Sequence, residues 1–284
     1  MRERRANAPY EERIEWDRDG QYYHYLTKWM HALNCVSRVT GCPTYKRWAI
    51  ELAKTAHTRF TYDVSPGGEK LMYWKMSIDL SRPLVPFMGQ HDPLDGMITY
   101  EELQATSAEN SGETSLDLKA EIADMEAMCE GRSWVTSDPL GIGGLLTDAH
   151  KVGQLIVKGN LDRREMLEVI VNASLPSLEA YARKNILNQS VDYRLAFREL
   201  GTSIGLRAAE RLLRMIGDNL SLFEKKHLLY AQVERLTRHL PLGTNIESFW
   251  LKRSNQESNT WLDHLNINMV MLATSLTPDA YLAI

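Results

Sequence analysis

Apolar residues recur at three- and four-residue spacing through most of this chain, the period of amphipathic helices. Over residues 21–39, Tyr22, Leu26, Trp29, Leu33 and Val36 share one face, and His24, Lys28 and His31 share another. Thr40-Gly41 then reads as a helix stop, with glycine just past the last turn and Pro43 at the start of the next helix. Residues 45–60 form its partner, with Trp48, Leu52, Ala56 and Phe60 in register. The same period predicts helices over 97–107, 116–130, 145–157, 163–185 (with Pro176 as a kink), 193–215, 222–238 and 261–276.

Polar loops separate them: Ser65-Pro66-Gly67-Gly68, the proline-rich 81–96, the glycine-rich 131–144, and 241–259. Residues 71–80 are too short to settle by period, and no strand ladder is expected. Residues 1–20, polar and containing Pro9, read as an extended arm, and 21–284 as a single all-α domain. Sequential helix pairs build either a solenoid or a closed α/α toroid. The toroid is favoured because the long loops gather tryptophan, histidine and aspartate at one end.

Composition narrows the partners. The 284 residues are 25% charged and 44% hydrophobic, ordinary globular values. A net charge of −4 gives no basic footprint, so nucleic acid is not an expected partner. Cys35, Cys42 and Cys129 form no paired framework, which places the chain in a reducing compartment, the cytoplasm. Arg2, Arg4 and Arg5 precede no apolar segment, and no run of about 18 apolar residues exists, so neither a secretory signal nor a membrane span is expected. Gly141-Ile142-Gly143-Gly144 lacks the preceding strand of a phosphate cradle, and no zinc or calcium spacing appears; no cofactor and no metal are expected.

The run from Val39 to Ala53, VTGCPTYKRWAIELA, resembles the helical-hairpin turn of the six-hairpin (α/α)6-toroid proteins, which include sugar 2-epimerases and several glycoside hydrolase families. The stretches RDGQYYHYLTKWMHAL, MYWKMSIDLSRP and GQHDPLDG look like an uncharacterised subgroup of that class. The resemblance implies a toroid with a central cavity, here with fewer helices than six full pairs and with the shortfall expected at the N-terminus. It implies a small-molecule carbohydrate as partner. Counting back from Thr40-Gly41, the histidine of the epimerase helix falls on Lys28 and its glutamate on His31, so the epimerase base does not carry over directly.

Candidate chemistry lies where ionisable groups cluster. Asp17 and Asp19 flank Arg18 ahead of the first long helix, where carboxylates serve equally as caps. His31 with His24 and Lys28 supplies groups that transfer protons near neutral pH. Gln90, His91, Asp92 and Asp95 sit in a Pro/Gly-fixed turn, and two carboxylates with an imidazole suit acid/base work at a glycosidic or hemiacetal centre. Asp17, Asp19, His31, His91, Asp92 and Asp95 are therefore the expected catalytic set. Trp74, Lys75, Asp79 and Arg82 form a charged wall upstream; Asp148 with His150, and Trp261 with His264, extend the expected binding set. Trp16, Trp74, Trp134 and Trp261 offer flat apolar faces for sugar rings. The expected function is that of a carbohydrate-active enzyme working by general acid/base chemistry on a glycosidic bond or reducing-end sugar. The alternative is a toroid-derived sugar-binding or scaffold protein without catalysis.

Overall fold

The computed structural model describes residues 3–5, 7–15, 18–65, 68–108, 117–159, 162–223 and 226–284. The chain is mostly helical and divides into two compact units, Met1–Arg132 and Ser133–Ile284.

In the first unit, α2 (Tyr23–Thr40) and α3 (Pro43–Phe60) form the expected hairpin. Gly41 occupies the left-handed region at φ +67°, and Pro43 opens α3, where its missing N–H costs nothing. Helix α4 (Asp92–Ala108) packs beside α2, and α5 (Lys119–Cys129) packs on α4. A one-turn α1 (Glu12–Glu15) precedes them.

Strands intervene where no ladder was expected. β1 (Gln21–Tyr22), β4 (Lys75–Met76) and β5 (Pro83–Val85) make a small antiparallel sheet, with Tyr22 opposite Lys75. β2 (Thr61–Asp63) and β3 (Lys70–Met72) make a hairpin whose loop includes Pro66 and Gly67, outside the described residues. These strands are too short to show a period in sequence, and they serve to hold the 81–91 loop against the start of α2. The arm is also tied down: Arg4 pairs with Glu15 at 2.6 Å, and Glu3 with Arg82 at 2.9 Å.

The faces of α2 and α3 differ from the expected ones. The buried side of α2 is Tyr23, Leu26, Thr27, Met30, His31, Asn34 and Ser37, whereas Trp29 is 60% exposed and Val36 is exposed too. On α3, Trp48 is exposed while Lys46, Ala49, Ile50, Ala53, Ala56, His57 and Phe60 turn inward. The physical reason is that α2 buries polar groups that find partners on α4, which removes the cost that normally keeps such groups outside.

The second unit runs α6 (Pro139–Val157), α7 (Arg164–Arg183), α8 (Ala196–Asp218), α9 (Lys226–Thr237), α10 (Leu240–Trp250), α11 (Arg253–Gln256), α12 (Asn259–Leu262), α13 (Leu265–Leu276) and α14 (Asp279–Leu282). Asp138 caps α6, accepting from the backbone amides of Leu140 and Gly141. Residues 141–144, expected as loop, are therefore helical. Gly143 is needed there: a Cβ on it would lie 2.0 Å from the Gly201 carbonyl oxygen of α8. Small residues let α6 and α8 make the most extensive helix contact of the unit. Residues 241–259 are likewise not a polar loop, since α10 and α11 cover most of them, and the helix expected over 261–276 breaks at Asp263-His264.

Each unit repeats one packing rule. Consecutive helices pair as hairpins (α2 with α3, α4 with α5, α6 with α7, α8 with α9), and alternate helices lie side by side (α2 with α4, α6 with α8, α7 with α9, α8 with α10). No helix among the described residues is long and apolar enough to cross a membrane.

Candidate functional site

Polar side chains of α2 meet those of α4 in successive layers. At the N-terminal end of both helices, Thr27 Oγ1 donates to Asp95 Oδ2 at 2.5 Å and Lys28 Nζ donates to Asp95 Oδ1 at 2.7 Å. One layer deeper, His31 Nδ1 donates to Glu102 at 2.8 Å, and Asn34 Nδ2 donates to the same carboxylate at 2.8 Å. Thr106 Oγ1 then donates to Asn34 Oδ1 at 3.1 Å. Thr27, His31 and Asn34 stand at i, i+4 and i+7 on α2; Asp95, Glu102 and Thr106 stand at i, i+7 and i+11 on α4, so both rows keep one helical face. Tyr23 and Tyr100 join hydroxyls at 2.8 Å beneath the first layer. Burial pushes both phenols up, Tyr23 further so by the charge of Tyr100.

Asp92 differs from every group in that zipper. It is buried in the first turn of α4, and its Oδ2 hydrogen-bonds to none of the described residues. The carboxylate lies over Gly89, where a Cβ would come 2.4 Å from Oδ2. Among the described residues its ion-pair neighbour is His24, with Nδ1 3.7 Å from Oδ1, too long for a hydrogen bond and short enough for an ion pair when the ring is protonated. A buried carboxylate oxygen without a hydrogen-bond partner costs on the order of 1–3 kcal/mol unless a ligand meets it. The amides of the α4 N-terminus offset part of that cost.

Aromatic rings surround His24. Its centroid is 4.6 Å from Tyr25 and 5.5 Å from Tyr22, and Tyr22 lies 6.3 Å from Trp74 in an edge-on arrangement. Tyr25 is exposed and Tyr22, His24 and Trp74 are half-buried, so their faces and edges reach solvent beside Asp92. The β1–β4 pairing places Tyr22 and Trp74 here, because the backbone amide of Tyr23 donates to the Trp74 carbonyl at 3.3 Å.

The structure thus brings His24, Lys28, Trp74, Asp92 and Asp95 together, and leaves His91 half-buried and Gln90 exposed on the adjoining turn. Trp16 and Asp17 lie outside the described residues. His31, expected as catalytic, is 1% exposed and sealed against Glu102, so it has no face for a substrate. Lys75 is no wall of a site: it is fully buried, donates to the Glu15 carbonyl at 2.6 Å and to the Arg18 carbonyl, and stands 4.7 Å from the Tyr22 ring centroid. Arg18 pairs with Glu15 at 3.2 Å, and Asp19 is exposed. Asp79 is committed to a turn with Ser77 and Ser81, whose hydrogen bonds lower it to about 2. Arg82 serves Glu3 and the Arg4 carbonyl rather than Asp79.

The residues expected from the second half belong to its core or to a separate cavity. Trp134 is buried, and Trp261 is 1% exposed and stacked on Trp250 at 5.7 Å, so neither ring offers a free face. Trp250 in turn donates to Glu199 at 2.9 Å, the carboxylate held by buried Arg194 at 2.6 Å. His264 is exposed, edge-on to Phe197. Asp148 is buried beside His150 on α6.

His150 lines a cavity of about 270 Å³ with Gln154, Arg211, Asp279, Leu282 and Ala283. Burial lowers its pKa to about 4, helped by the charges of Arg211 and Lys151. The unfolded chain protonates this ring near pH 6.5 and the native chain only near 4. The stability this ring's neutrality protects is therefore complete above pH 6.5 and is lost as pH falls toward 4, by about 3 kcal/mol. Urea midpoints at pH 7 and pH 4 check this: His150→Gln is expected to lose that much less than the wild type across the interval.

Sequence reasoning missed Glu102, Asn34, Thr106, Tyr100 and Tyr25. Starting α4 at Asp92 rather than at residue 97 would have exposed the Asp95–Glu102–Thr106 stripe. No group of three or more His, Cys, Asp or Glu able to hold a metal occurs among the described residues. Comparison with protein-family models, with curated proteins and with solved structures finds no match for this chain.

Proposed function

We propose that this chain is a carbohydrate-active enzyme whose site is the α2–α4 N-terminal end, with Asp92 as general acid/base and His24 as its proton partner. The observation that carries the reading is the free, buried carboxylate oxygen of Asp92 beside a partly exposed set of aromatic rings. Tyr22, Tyr25 and Trp74 present the apolar surface that stacks on a sugar ring, and Asp95, paired with Lys28 at 2.7 Å, offers acceptance of sugar hydroxyls. The proton leaves or enters at Asp92 Oδ2, and His24 neutralises the carboxylate between steps. In apo geometry such contacts are long and tighten on binding, which fits the 3.7 Å separation. Within each unit, consecutive helices paired as hairpins with alternate helices side by side are compatible with the expected α/α toroid and equally with a solenoid.

A second reading is a sugar-binding protein without catalysis. It is favoured by Asp95 being engaged by both Thr27 and Lys28, which leaves Asp92 as the carboxylate with an unpartnered oxygen at this locus among the described residues. Both readings require sugar binding. Thermal-shift screening against mono- and disaccharides tests that requirement: a saccharide at about a hundred times its Kd adds about 2.7 kcal/mol to native stability. A melting temperature that no saccharide raises counts against both.

A further inference from the structure

Cys35 lies one turn beyond His31 on α2, and its Sγ is 3.5 Å from His31 Nε2. The other ring nitrogen is occupied, since Nδ1 faces both oxygens of Glu102 at 2.8 and 2.9 Å. A carboxylate only accepts, so Nδ1 carries a proton and Nε2 of the neutral ring is a base pointed at the thiol. Asn34 donates to the same Glu102 oxygen and fixes the carboxylate in place. From solvent, the Arg38 guanidinium donates to Sγ at 3.3 Å. Unlike His31 and Glu102, Cys35 is half-buried and reachable.

We propose that Cys35, His31 and Glu102 form a thiol–imidazole–carboxylate relay that makes Cys35 a nucleophilic modification site for small electrophiles, hydroperoxides being the chemical class that suits it. The Sγ proton moves to His31 Nε2, and the imidazolium is stabilised by Glu102. With a hydroperoxide, the thiolate attacks the outer oxygen, an S–O bond forms and the O–O bond breaks. The leaving alkoxide or hydroxide takes the proton from His31. Cys35 becomes a sulfenic acid, oxidised by two electrons, and the peroxide is reduced to alcohol or water.

The charged and titratable groups recorded around this thiol are His31 and Arg38 on its own helix and Glu102 on α4. Burial alone would raise the thiol, but the hydrogen bonds from His31 and Arg38 and the charge of His31 outweigh it and lower its pKa. Cys42 is also lowered, by amides at the start of α3, and owes nothing to His31. It serves as an internal control.

The test is the alkylation rate of each cysteine with iodoacetamide on the full chain, read by peptide mass spectrometry between pH 5.5 and 8.5. An ordinary thiol with pKa about 8.5 is only about 1% thiolate at pH 6.5. Cys35 is expected to label at least about tenfold faster there than an unstructured peptide thiol, and to lose about that factor in His31→Gln while Cys42 keeps its rate. Arg38→Met, on the exposed side of α2, is expected to slow Cys35 severalfold and covers the case in which His31→Gln fails to fold. A Cys35 rate no faster than the peptide thiol, or one unchanged in both variants, overturns the proposal. Exposure to hydrogen peroxide followed by a sulfenic-acid trap is expected to mark Cys35 in the wild type; no adduct at Cys35 also overturns it.

Discussion

Gly143→Ala is expected to destabilise the second unit by about 3 kcal/mol or more, although alanine is the best helix former and Gly143 lies inside α6. The added methyl would stand 2.0 Å from the Gly201 carbonyl oxygen, 2.3 Å from its carbon and 2.8 Å from the Thr202 nitrogen. All three are backbone atoms of α8, so no rotamer change relieves the overlap, and the helices must move apart. Gly205 meets α6 from the other side, where a Cβ would lie 2.7 Å from Gly143 Cα. The neighbouring Gly144 is the control, since nothing lies within 4 Å of its added Cβ. Gly144→Ala is expected to raise stability by roughly 0.5–1 kcal/mol through helix propensity. Guanidinium unfolding of the two variants should therefore shift in opposite directions. Equal midpoints for Gly143→Ala and the wild type would remove the close crossing from this account.

Glu102→Ala is the second large effect. Its carboxylate takes hydrogen bonds from His31 and Asn34 at the centre of the α2–α4 interface, with Glu102 fully buried. Removing it leaves a buried imidazole and a buried amide short of an acceptor, a loss of about 3–5 kcal/mol. Replacing the pair together, as His31→Leu with Glu102→Met, is expected to recover the part of that loss that belongs to the imidazole, because exchanging both partners of a buried hydrogen bond for apolar groups of similar shape is nearly neutral, while Asn34 stays short of its acceptor. A double variant as unstable as Glu102→Ala alone would mean that the stranded imidazole is not what destabilises the single variant.

These two interfaces also explain what the sequence disclosed and what it hid. The turn between α2 and α3 was legible because its determinants are local: Gly41 supplies the left-handed residue and Pro43 the pre-formed first turn. The start of α6 was not, because glycine's cost in a helix is local whereas its compensation, contact with Gly201, comes from about 60 residues away. The buried face of α2 is hidden in the sequence for a related reason. Hydrophobic period finds a core-facing stripe only when the core is apolar, and here Thr27, His31 and Asn34 are admitted by partners on α4. The candidate site shows the same split. Asp92, Asp95, His24 and Lys28 were found as ionisable clusters on two segments, but which carboxylate stays free depends on three-dimensional pairing. Lys75 and Trp261 carry side chains suited to a binding site, but the fold commits them to carbonyl oxygens and to core stacking.

Asp92 is the residue on which the functional account turns. Asp92→Asn keeps the side-chain shape but replaces the carboxylate by a neutral amide, with an NH2 donor in place of one oxygen and no titratable proton. Since Oδ2 has no hydrogen bond to lose among the described residues, folding is expected to be undisturbed. The most direct measurement is proton NMR of the anomeric signals of the saccharide that gives the largest thermal shift, incubated with wild type and with Asp92→Asn. Conversion by the wild type is expected, with a rate lower by roughly 10²–10⁴ in the variant and the thermal shift retained. Conversion at the wild-type rate in Asp92→Asn, or a bound saccharide that the wild type leaves unchanged, would contradict it.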